Sequence, residues 1–310
     1  MKTSRIDWID RMKAVCILVV MLVHLEAGQR LPRRLYEPFF LNGFLFAAGC
    51  VYRQAAFSVF FRKKVRTLLV PWLVFSVGNL ALSQVFSFQN HGDFWTELGW
   101  NLLQIRGRGD GVWFVAALFV SCFPFYALMR WQERHKKPGH LLALAAVLWG
   151  LGLLYEARGY PPLPWHLEYV PQAVFFMVLG HLCRERKLSL RWTAAFGLLL
   201  LWGKLPEPLM EIMGTLALAV LCRKLPKIRF LSAVGQNTLV LFAFHGKVMS
   251  LLEWSLRHFG WYAAALEEPW LSILLAAVLT VGMALILLIP AGIIARWLPW
   301  LLGREGRNQS

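Results

Sequence analysis

A cation and an imidazole share one stripe of the first hydrophobic segment. Lys13 precedes ten consecutive apolar residues, 14–23, and His24 follows them. A helix turns about 100° per residue, so eleven steps bring His24 to within ~20° of Lys13 and roughly 16 Å along the axis. Ionisable groups at membrane depth are costly and usually face a protein interior or a water-filled cavity. The pair predicts the wall of a polar pocket. The alternative is a Lys anchor at a helix start and a structural His that hydrogen-bonds a neighbouring helix.

A second imidazole lies in a later hydrophobic segment, which begins near Asn237 and reaches His245. At a rise of ~1.5 Å per residue, His245 falls past the middle of the membrane, and we predict that it shares one level of the bundle with His24. The alternative role for His245 is packing, with a hydrogen bond to a backbone carbonyl. Asn237 itself is expected to cap or bridge helices.

Two acidic residues flank the stripe on the first segment. Asp10 precedes Lys13 by three positions, a spacing that allows an ion pair on a helix. Glu26 follows His24 by two positions, so it lies on another face and is expected at the outer mouth of a cavity.

The composition is that of a polytopic membrane protein. Of the 310 residues, 58% are hydrophobic and only 16% are charged, whereas a soluble domain has about half and one-quarter. The net charge of +16 sits in short clusters between hydrophobic segments, which argues against nucleic acid as a partner. No small-residue cleavage site follows the first apolar segment, so we expect no cleavable signal peptide. The five cysteines show neither CxxC nor Cys/His ligand spacing, which predicts packing thiols and no metal site.

The hydrophobic pattern predicts ten segments that cross the bilayer, which takes about 20 apolar helical residues. The alternation typical of a transmembrane barrel is absent. The predicted fold class is therefore all-α, a polytopic transmembrane bundle of about ten helices in a single domain, residues 1–310. Residues 88–110 are expected to form the longest external loop. The approximate ranges of the ten segments are 14–28, 36–52, 67–87, 111–130, 140–157, 168–183, 191–204, 206–222, 233–255 and 270–297.

The Lys and Arg residues orient these segments. With the N-terminus in the cytoplasm, Lys and Arg favour the inner segments over the outer ones by roughly three to one. Ten crossings then place both termini in the cytoplasm. A single broken helix over 191–222 would move the basic cluster 223–229 outside, so we predict two short helices joined by a turn at 204–208.

Several segments, in order along most of the chain, resemble the acyltransferase family 3 integral membrane proteins, and most closely their fucose 4-O-acetylase-like branch. Ala48 is a departure, because Ser is common there before the Gly of the second segment. The segments that carry the resemblance are Trp8-Ile9-Asp10 with Lys13 and His24, the aromatic-rich segment from Pro38 to Gly49, Arg62-Lys63-Lys64 leading to Pro71-Trp72, Gly111-Val112-Trp113-Phe114, Phe175-Phe176-Met177-Val178-Leu179-Gly180, and Gly235-Gln236-Asn237-Thr238-Leu239 leading to His245.

The resemblance implies an O-acyltransferase of the bacterial inner or plasma membrane. It would move an acyl group, usually acetyl, from cytoplasmic acetyl-CoA to a hydroxyl of a carbohydrate or another cell-envelope molecule. His24 is then the catalytic candidate, either as a general base or as a transient acyl-imidazole that relays the group. His245 would orient His24, bind the acceptor or serve a structural role.

The remaining site predictions follow the chemistry of the two substrates. Lys13, helped by Arg11 and the cluster Arg62-Lys63-Lys64, would hold the anionic donor, although topology alone also explains that cluster. Acceptor binding is assigned to Glu26, Trp113, Phe114 and Asn237, with membrane-interface packing as the alternative for the two aromatic residues.

Two other classes of function have the same buried ionisable residues. A transporter or flippase of an envelope precursor would need them too, but the sequence shows neither duplicated halves nor a matched pair of broken segments. A small-molecule sensor or structural membrane subunit is the other class.

Overall fold

The computed structural model describes residues 6–85, 93–108, 112–186, 189–202 and 205–303, which fold into helices joined by turns. Short 3-10 turns lie at Glu26–Arg30, Arg33–Leu35, Pro164–Tyr169 and Pro299–Leu302, and a π-helical turn lies at Val65–Leu69. The α-helices of these residues are α1 (Asp7–His24), α2 (Asn42–Cys50), α3 (Phe57–Lys64), α4 (Val70–Val85), α5 (Phe94–Leu103), α6 (Trp113–His135), α7 (Pro138–Ala157), α8 (Val170–Cys183), α9 (Arg191–Trp202), α10 (Glu207–Lys224), α11 (Arg229–Gln236), α12 (Thr238–Leu256), α13 (Gly260–Glu267) and α14 (Pro269–Trp297).

The chain divides into two compact units. The first unit comprises Met1–Ala47 and Glu185–Ala291, and the second comprises Ala48–Arg184 and Gly292–Ser310. The sequence predicts one domain over residues 1–310. In the structure, each of the two units is built from two stretches that are separate in the sequence.

Helix α1 is the organising element of the first unit, where it packs against α10, α11 and α12. Met12, just before Lys13, and Cys16 and Ile17 of its apolar run are completely buried. Acidic residues in its first turn, Asp7 and Asp10, complement the positive end of the helix dipole. Burial of the apolar run on several neighbours therefore fixes the axis of the helix that carries Lys13 and His24.

Close backbone contact joins α1 to α11. Gly235 lies so near the Asp10 carbonyl that a Cβ at position 235 would overlap its oxygen and carbon. Only glycine allows this approach without a shift of one helix. Residue 235 thus sets the distance between the two helices close to Lys13.

In the second unit, α8 is the central element, and α6 and α7 pack against it. The Pro164–Tyr169 turn also packs on α6, α7 and α8. Residues 174–178 of α8 are buried throughout, which agrees with their continuous apolar sequence. This packing fixes the turn beside Trp113, the first residue of α6.

Within the described residues, five helices are long and apolar enough to cross a membrane: Phe57–Gln84, Trp113–His135, Pro138–Ala157, Thr238–Leu256 and Pro269–Trp297. The last of these helices, α14, has one side buried in the protein and another side that is exposed and apolar. Its buried side includes Ala276, Thr280 and Ala284. Large apolar side chains three or four positions apart cover the other side and are mostly exposed, namely Leu274, Val278, Val281, Leu285, Ile289 and Ile293. Such an extended apolar face is typical of contact with lipid.

Several predicted boundaries differ from the structure. The segment predicted at 36–52 contains only the nine-residue helix α2, which spans ~13 Å and is too short to cross a bilayer alone. The external loop predicted at 88–110 contains α5, because the Asp93 carboxylate accepts hydrogen bonds from the backbone amides of Trp95 and Thr96 and caps a helix.

Other predicted membrane-crossing segments agree with the observed helices in full or in part. Two helices, α9 and α10, occupy residues 191–222, as predicted, although Lys204 of the predicted turn lies outside the described residues. The segment predicted at 233–255 is divided at Asn237 into α11 and α12. The chain ends, residues 1–5 and 304–310, also lie outside the described residues.

Candidate functional site

Two histidines from separate helices meet in the first unit. The ring centroids of His24, at the end of α1, and His245, in the middle of α12, are 5.2 Å apart with the ring planes at 80°. His24 is exposed, whereas His245 is only 6% exposed. The prediction that both histidines share one level of the bundle is confirmed, so an accessible imidazole rests edge-on against a buried one.

Backbone carbonyls select the tautomer of both rings. The Nδ1 atom of His24 lies 2.6 Å from the Val20 carbonyl oxygen, and Nδ1 of His245 lies 2.8 Å from that of Phe242. A carbonyl can only accept, so Nδ1 carries the proton and donates in each hydrogen bond. In each neutral ring, Nε2 is therefore the nitrogen with the free lone pair, as a general base requires.

The chain beyond His24 is fastened to α12 and α14. The backbone amide of Glu26 donates to a carboxylate oxygen of Glu253 at 2.7 Å. The buried hydroxyl of Ser272 donates to the carbonyl oxygen of Ala27 at 2.8 Å. These two contacts fix the chain within three residues of the imidazole.

Glu26, a predicted acceptor ligand, is part of a charged group next to these contacts. Its carboxylate pairs with Arg257 at 3.0 Å, and both side chains are well exposed. The Tyr262 hydroxyl is buried and has no hydrogen-bond partner in the part of the chain that the structure describes. Burial, followed by the nearby charges of Glu253 and Glu26, raises the pKa of Tyr262 to about 12, so its proton stays in place at neutral pH.

At the other end of α1, the predicted ion pair is present. Lys13 Nζ lies 2.9 Å from the Asp10 carboxylate, and 27% of the Lys13 side chain is exposed. Arg11, by contrast, is buried and donates from Nε to the Cys222 carbonyl oxygen at 2.9 Å. Lys13 is thus the more accessible of the two cations proposed for the donor, while Arg11 joins α1 to α10.

Asn237 lies at the junction of α11 and α12. Its side-chain amide donates to the Ala233 carbonyl oxygen at 2.9 Å, within the last turn of α11. The predicted capping role is confirmed in this form. The Asn237 side chain makes no capping hydrogen bond to α12, so the helix end that it caps is that of α11.

The cluster Arg62-Lys63-Lys64 belongs to the second unit and ends α3, immediately before the π-helical turn. Arg62 and Lys63 are exposed. The ammonium of Lys64 lies 5.5 Å from the centroid of the Phe60 ring, a cation–π contact. The cluster thus lies inside the helix Phe57–Gln84, whereas the sequence pattern placed it before a segment beginning at residue 67.

Trp113 and Phe114, the predicted acceptor residues, also lie in the second unit. Phe114 is buried, and Trp113 is half-buried. The Trp113 ring packs on the imidazole of His166 with centroids 4.6 Å apart and also contacts Tyr169 at 5.8 Å.

His166 and Glu168 are polar residues that the sequence analysis missed. Both are less than 10% exposed. Glu168 Oε1 lies 3.6 Å from His166 Nδ1 and 3.7 Å from Arg106 Nε. Burial lowers the pKa of His166; the Glu168 charge opposes that shift and the Arg106 charge adds to it. The available signal was a His and a Glu two residues apart in a proline-flanked segment directly before an apolar helix.

Metal-ligand geometry is not seen in the described residues, where no three His, Cys, Asp or Glu side chains gather in a way that could hold an ion. All five cysteines are buried, as expected for packing thiols.

One comparison with models of known families gives a match that covers most of the chain. The model of the acyltransferase domain matches residues 6–289. The chain belongs to acyltransferase family 3. No curated protein and no solved structure matches it. As a member of acyltransferase family 3, the protein is a multi-pass membrane acyltransferase, and the matched residues include both histidines and every other predicted site residue.

Proposed function

We propose that this member of acyltransferase family 3 transfers an acetyl group from acetyl-CoA to a hydroxyl of a cell-envelope carbohydrate, as in the fucose 4-O-acetylase-like branch. One observation carries the proposal. Because the Val20 carbonyl holds the Nδ1 proton of His24, the free nitrogen of an exposed imidazole is available as a base.

The proposed step needs one proton acceptor. His24 Nε2 takes the proton of the acceptor hydroxyl while the oxygen attacks the thioester carbonyl. When the intermediate collapses, the carbon–sulfur bond breaks, and the imidazolium returns the proton to the coenzyme A thiolate. The buried imidazole of His245, packed edge-on against His24, orients the base.

The proposed orientation puts the N-terminus, the C-terminus and Lys13 on the cytoplasmic side of a bacterial cell membrane, with about ten membrane-crossing segments. The distribution of Lys and Arg between the connections supports this orientation. Acetyl-CoA would then approach the Lys13 end of α1, and Arg62, Lys63 and Lys64 would add positive charge on the same side.

The activity is tested directly with purified protein and radiolabelled acetyl-CoA. We expect label to move onto envelope glycans and coenzyme A to be released in equal amounts. The control is protein that has been heat-unfolded. Movement of a glycan precursor across vesicles without acetyl-CoA, with no label transferred, would instead identify a transporter and refute the proposal.

Lys13→Gln should raise the KM for acetyl-CoA with little change in kcat. A charged hydrogen bond to a phosphate is worth about 1.5–3 kcal/mol, which corresponds to roughly 10- to 150-fold in KM. Initial rates at varied acetyl-CoA concentrations measure this change, and Lys13→Arg should recover most of the affinity.

Lys227→Gln is the matched control for Lys13. Lys227 also pairs with an α1 aspartate, Asp7, at 3.0 Å, but 68% of its side chain is exposed. Its replacement should leave both constants unchanged. An unaltered KM in folded Lys13→Gln protein would remove Lys13 from the donor site.

A further inference from the structure

The second unit contains a buried carboxylate oxygen without a hydrogen bond. The Glu168 side chain is 2% exposed, and its Oε2 accepts a hydrogen bond from the backbone amide of Leu163 at 3.0 Å. Oε1 accepts none from the residues that the structure describes. His166 Nδ1 and Arg106 Nε are its cationic or polar neighbours, but at 3.6 and 3.7 Å both are too distant for a strong hydrogen bond.

Aromatic rings lie next to His166, the imidazole that neighbours this oxygen, and next to Trp165, the residue before it. The half-buried indole of Trp113 packs on the His166 ring. The half-buried indole of Trp165 packs on Trp72, with centroids 4.8 Å apart. Apolar ring faces beside a few directed polar groups are typical of small-molecule sites.

The backbone of the Pro164–Tyr169 turn is strained to hold this arrangement. Trp165 and His166 are consecutive non-glycine residues with φ of 58° and 52°. Each such left-handed residue costs about 1–3 kcal/mol, and strain of this kind clusters at functional sites. The strained conformation directs the Trp165 ring onto Trp72 and the His166 ring onto Trp113.

The charges of Arg106, Glu156 and Glu168 indicate which class of ligand this site would bind. Arg106 pairs with Glu156 at 3.1 Å, so its charge is already balanced, and the buried Glu168 leaves a net demand for hydrogen-bond donors. A neutral molecule that presents hydroxyl donors on one edge and C–H groups on its face satisfies both the carboxylate and the indoles.

We propose that Glu168, His166 and Arg106, together with the indoles of Trp113 and Trp165, form a binding site for a sugar ring. This inference rests on the proposed function, because the sugar would be the hydroxyl acceptor. The Glu168 carboxylate accepts from a sugar hydroxyl, Arg106 donates to a neighbouring oxygen, and Trp113 packs on the C–H face.

Binding is tested without the donor, so that no chemistry is needed. Protein in lauryldimethylamine oxide, a detergent without sugar groups, is mixed with methyl fucoside, methyl galactoside or methyl glucoside at millimolar concentration. Saturation-transfer NMR should show contact with the ring protons of at least one glycoside. We expect Glu168→Gln and Trp113→Ala each to weaken that binding by at least tenfold.

Glu133→Gln is the control, because Glu133 pairs with Arg130 at 2.8 Å on α6 of the same unit, and its loss should leave binding unchanged. His24→Ala should also bind the glycoside normally. In the transfer assay, Glu168→Gln should raise the KM for the acceptor and leave that for acetyl-CoA unchanged.

Two outcomes overturn the inference. One is native protein that transfers acetyl groups but shows no contact with any glycoside, which leaves the proposed function intact. The other is Glu168→Gln protein with a lowered unfolding temperature and unaltered affinity, which makes the cluster structural. Glycoside binding without acetyl transfer would refute the proposed function and leave the site in place.

Discussion

His24→Ala should lower kcat by about 10²–10⁴-fold, the usual contribution of a general base. The side chain is exposed at the end of α1, so its removal opens no core cavity, and stability should change by only about 0.5 kcal/mol or less. The KM values of both substrates should therefore stay close to those of the native protein. Initial rates at saturating acetyl-CoA, together with thermal unfolding in one detergent, measure both effects.

His258→Ala is the matched control for this loss. His258 Nδ1 also donates to the carbonyl oxygen four residues earlier, that of Trp254, at 2.9 Å. Its ring makes an edge contact with the Trp254 indole and is exposed. It shares the local geometry of His24 but not the neighbour His245, so its replacement should leave kcat unchanged. Normal kcat in His24→Ala protein would rule out both catalytic roles of His24.

The two roles of His24 differ in what remains on the protein. Rapid quenching after labelled acetyl-CoA is added without an acceptor should leave no label on the protein if His24 acts as a base. Label retained by the native protein and absent from His24→Ala would instead identify the acyl-imidazole relay.

Gly235→Ala should lower the thermal unfolding temperature markedly. The added Cβ overlaps the backbone carbonyl of Asp10, and backbone atoms cannot move aside as a flexible side chain can. Overpacking of this kind costs about 1–3 kcal/mol, and a clash with backbone belongs at the upper end. Transfer activity should also fall, because α11 positions the end of α1 that carries Lys13. Size-exclusion chromatography after heating measures the folded fraction.

Gly282→Ala provides the comparison within the same unit. Gly282 lies inside α14, and a Cβ there would meet no atom within 4 Å. Alanine in an open helical position stabilises by about 0.4–1 kcal/mol, so this variant should unfold at an equal or higher temperature. Equal unfolding temperatures for both variants would mean that α1 and α11 separate without loss of stability.

Periodicity and charge revealed the parts of the first unit that matter most. The eleven-residue spacing of Lys13 and His24 follows from helix geometry, and the depth estimate brought His245 to the same level. The Asp10–Lys13 pair and the separation of α9 from α10 could also be predicted, because each depends on local spacing or on the distribution of cations.

Features that depend on tertiary packing could not be predicted in this way. The short length of α2 was not predicted, because residues 36–41, which form turns, are mostly apolar like the helix that follows them. The buried carboxylate of Glu168 lies 3.7 Å from Arg106, which is 62 positions earlier in the chain, a separation over which single-sequence patterns carry no information. The left-handed conformation of His166 is likewise atypical for a non-glycine residue.

Arg11 shows the same difference between what local sequence patterns predict and what tertiary packing determines. Its residue type and position next to Lys13 favoured a second cation for the donor. In the structure its guanidinium is buried and donates to the carbonyl oxygen of Cys222, 211 positions away, which the sequence pattern did not indicate. Such a contact is set by the approach of two helices, which no local pattern encodes.

Helix α14 contains none of the residues assigned to chemistry, yet Ser272 anchors the main chain three residues beyond the imidazole. The position of the His24 imidazole therefore depends in part on a hydroxyl group that lies far along the sequence, in α14. Substitutions on the lipid side of α14 that preserve its apolar character should be silent, while position 272 constrains the geometry of the reaction from outside the catalytic pair.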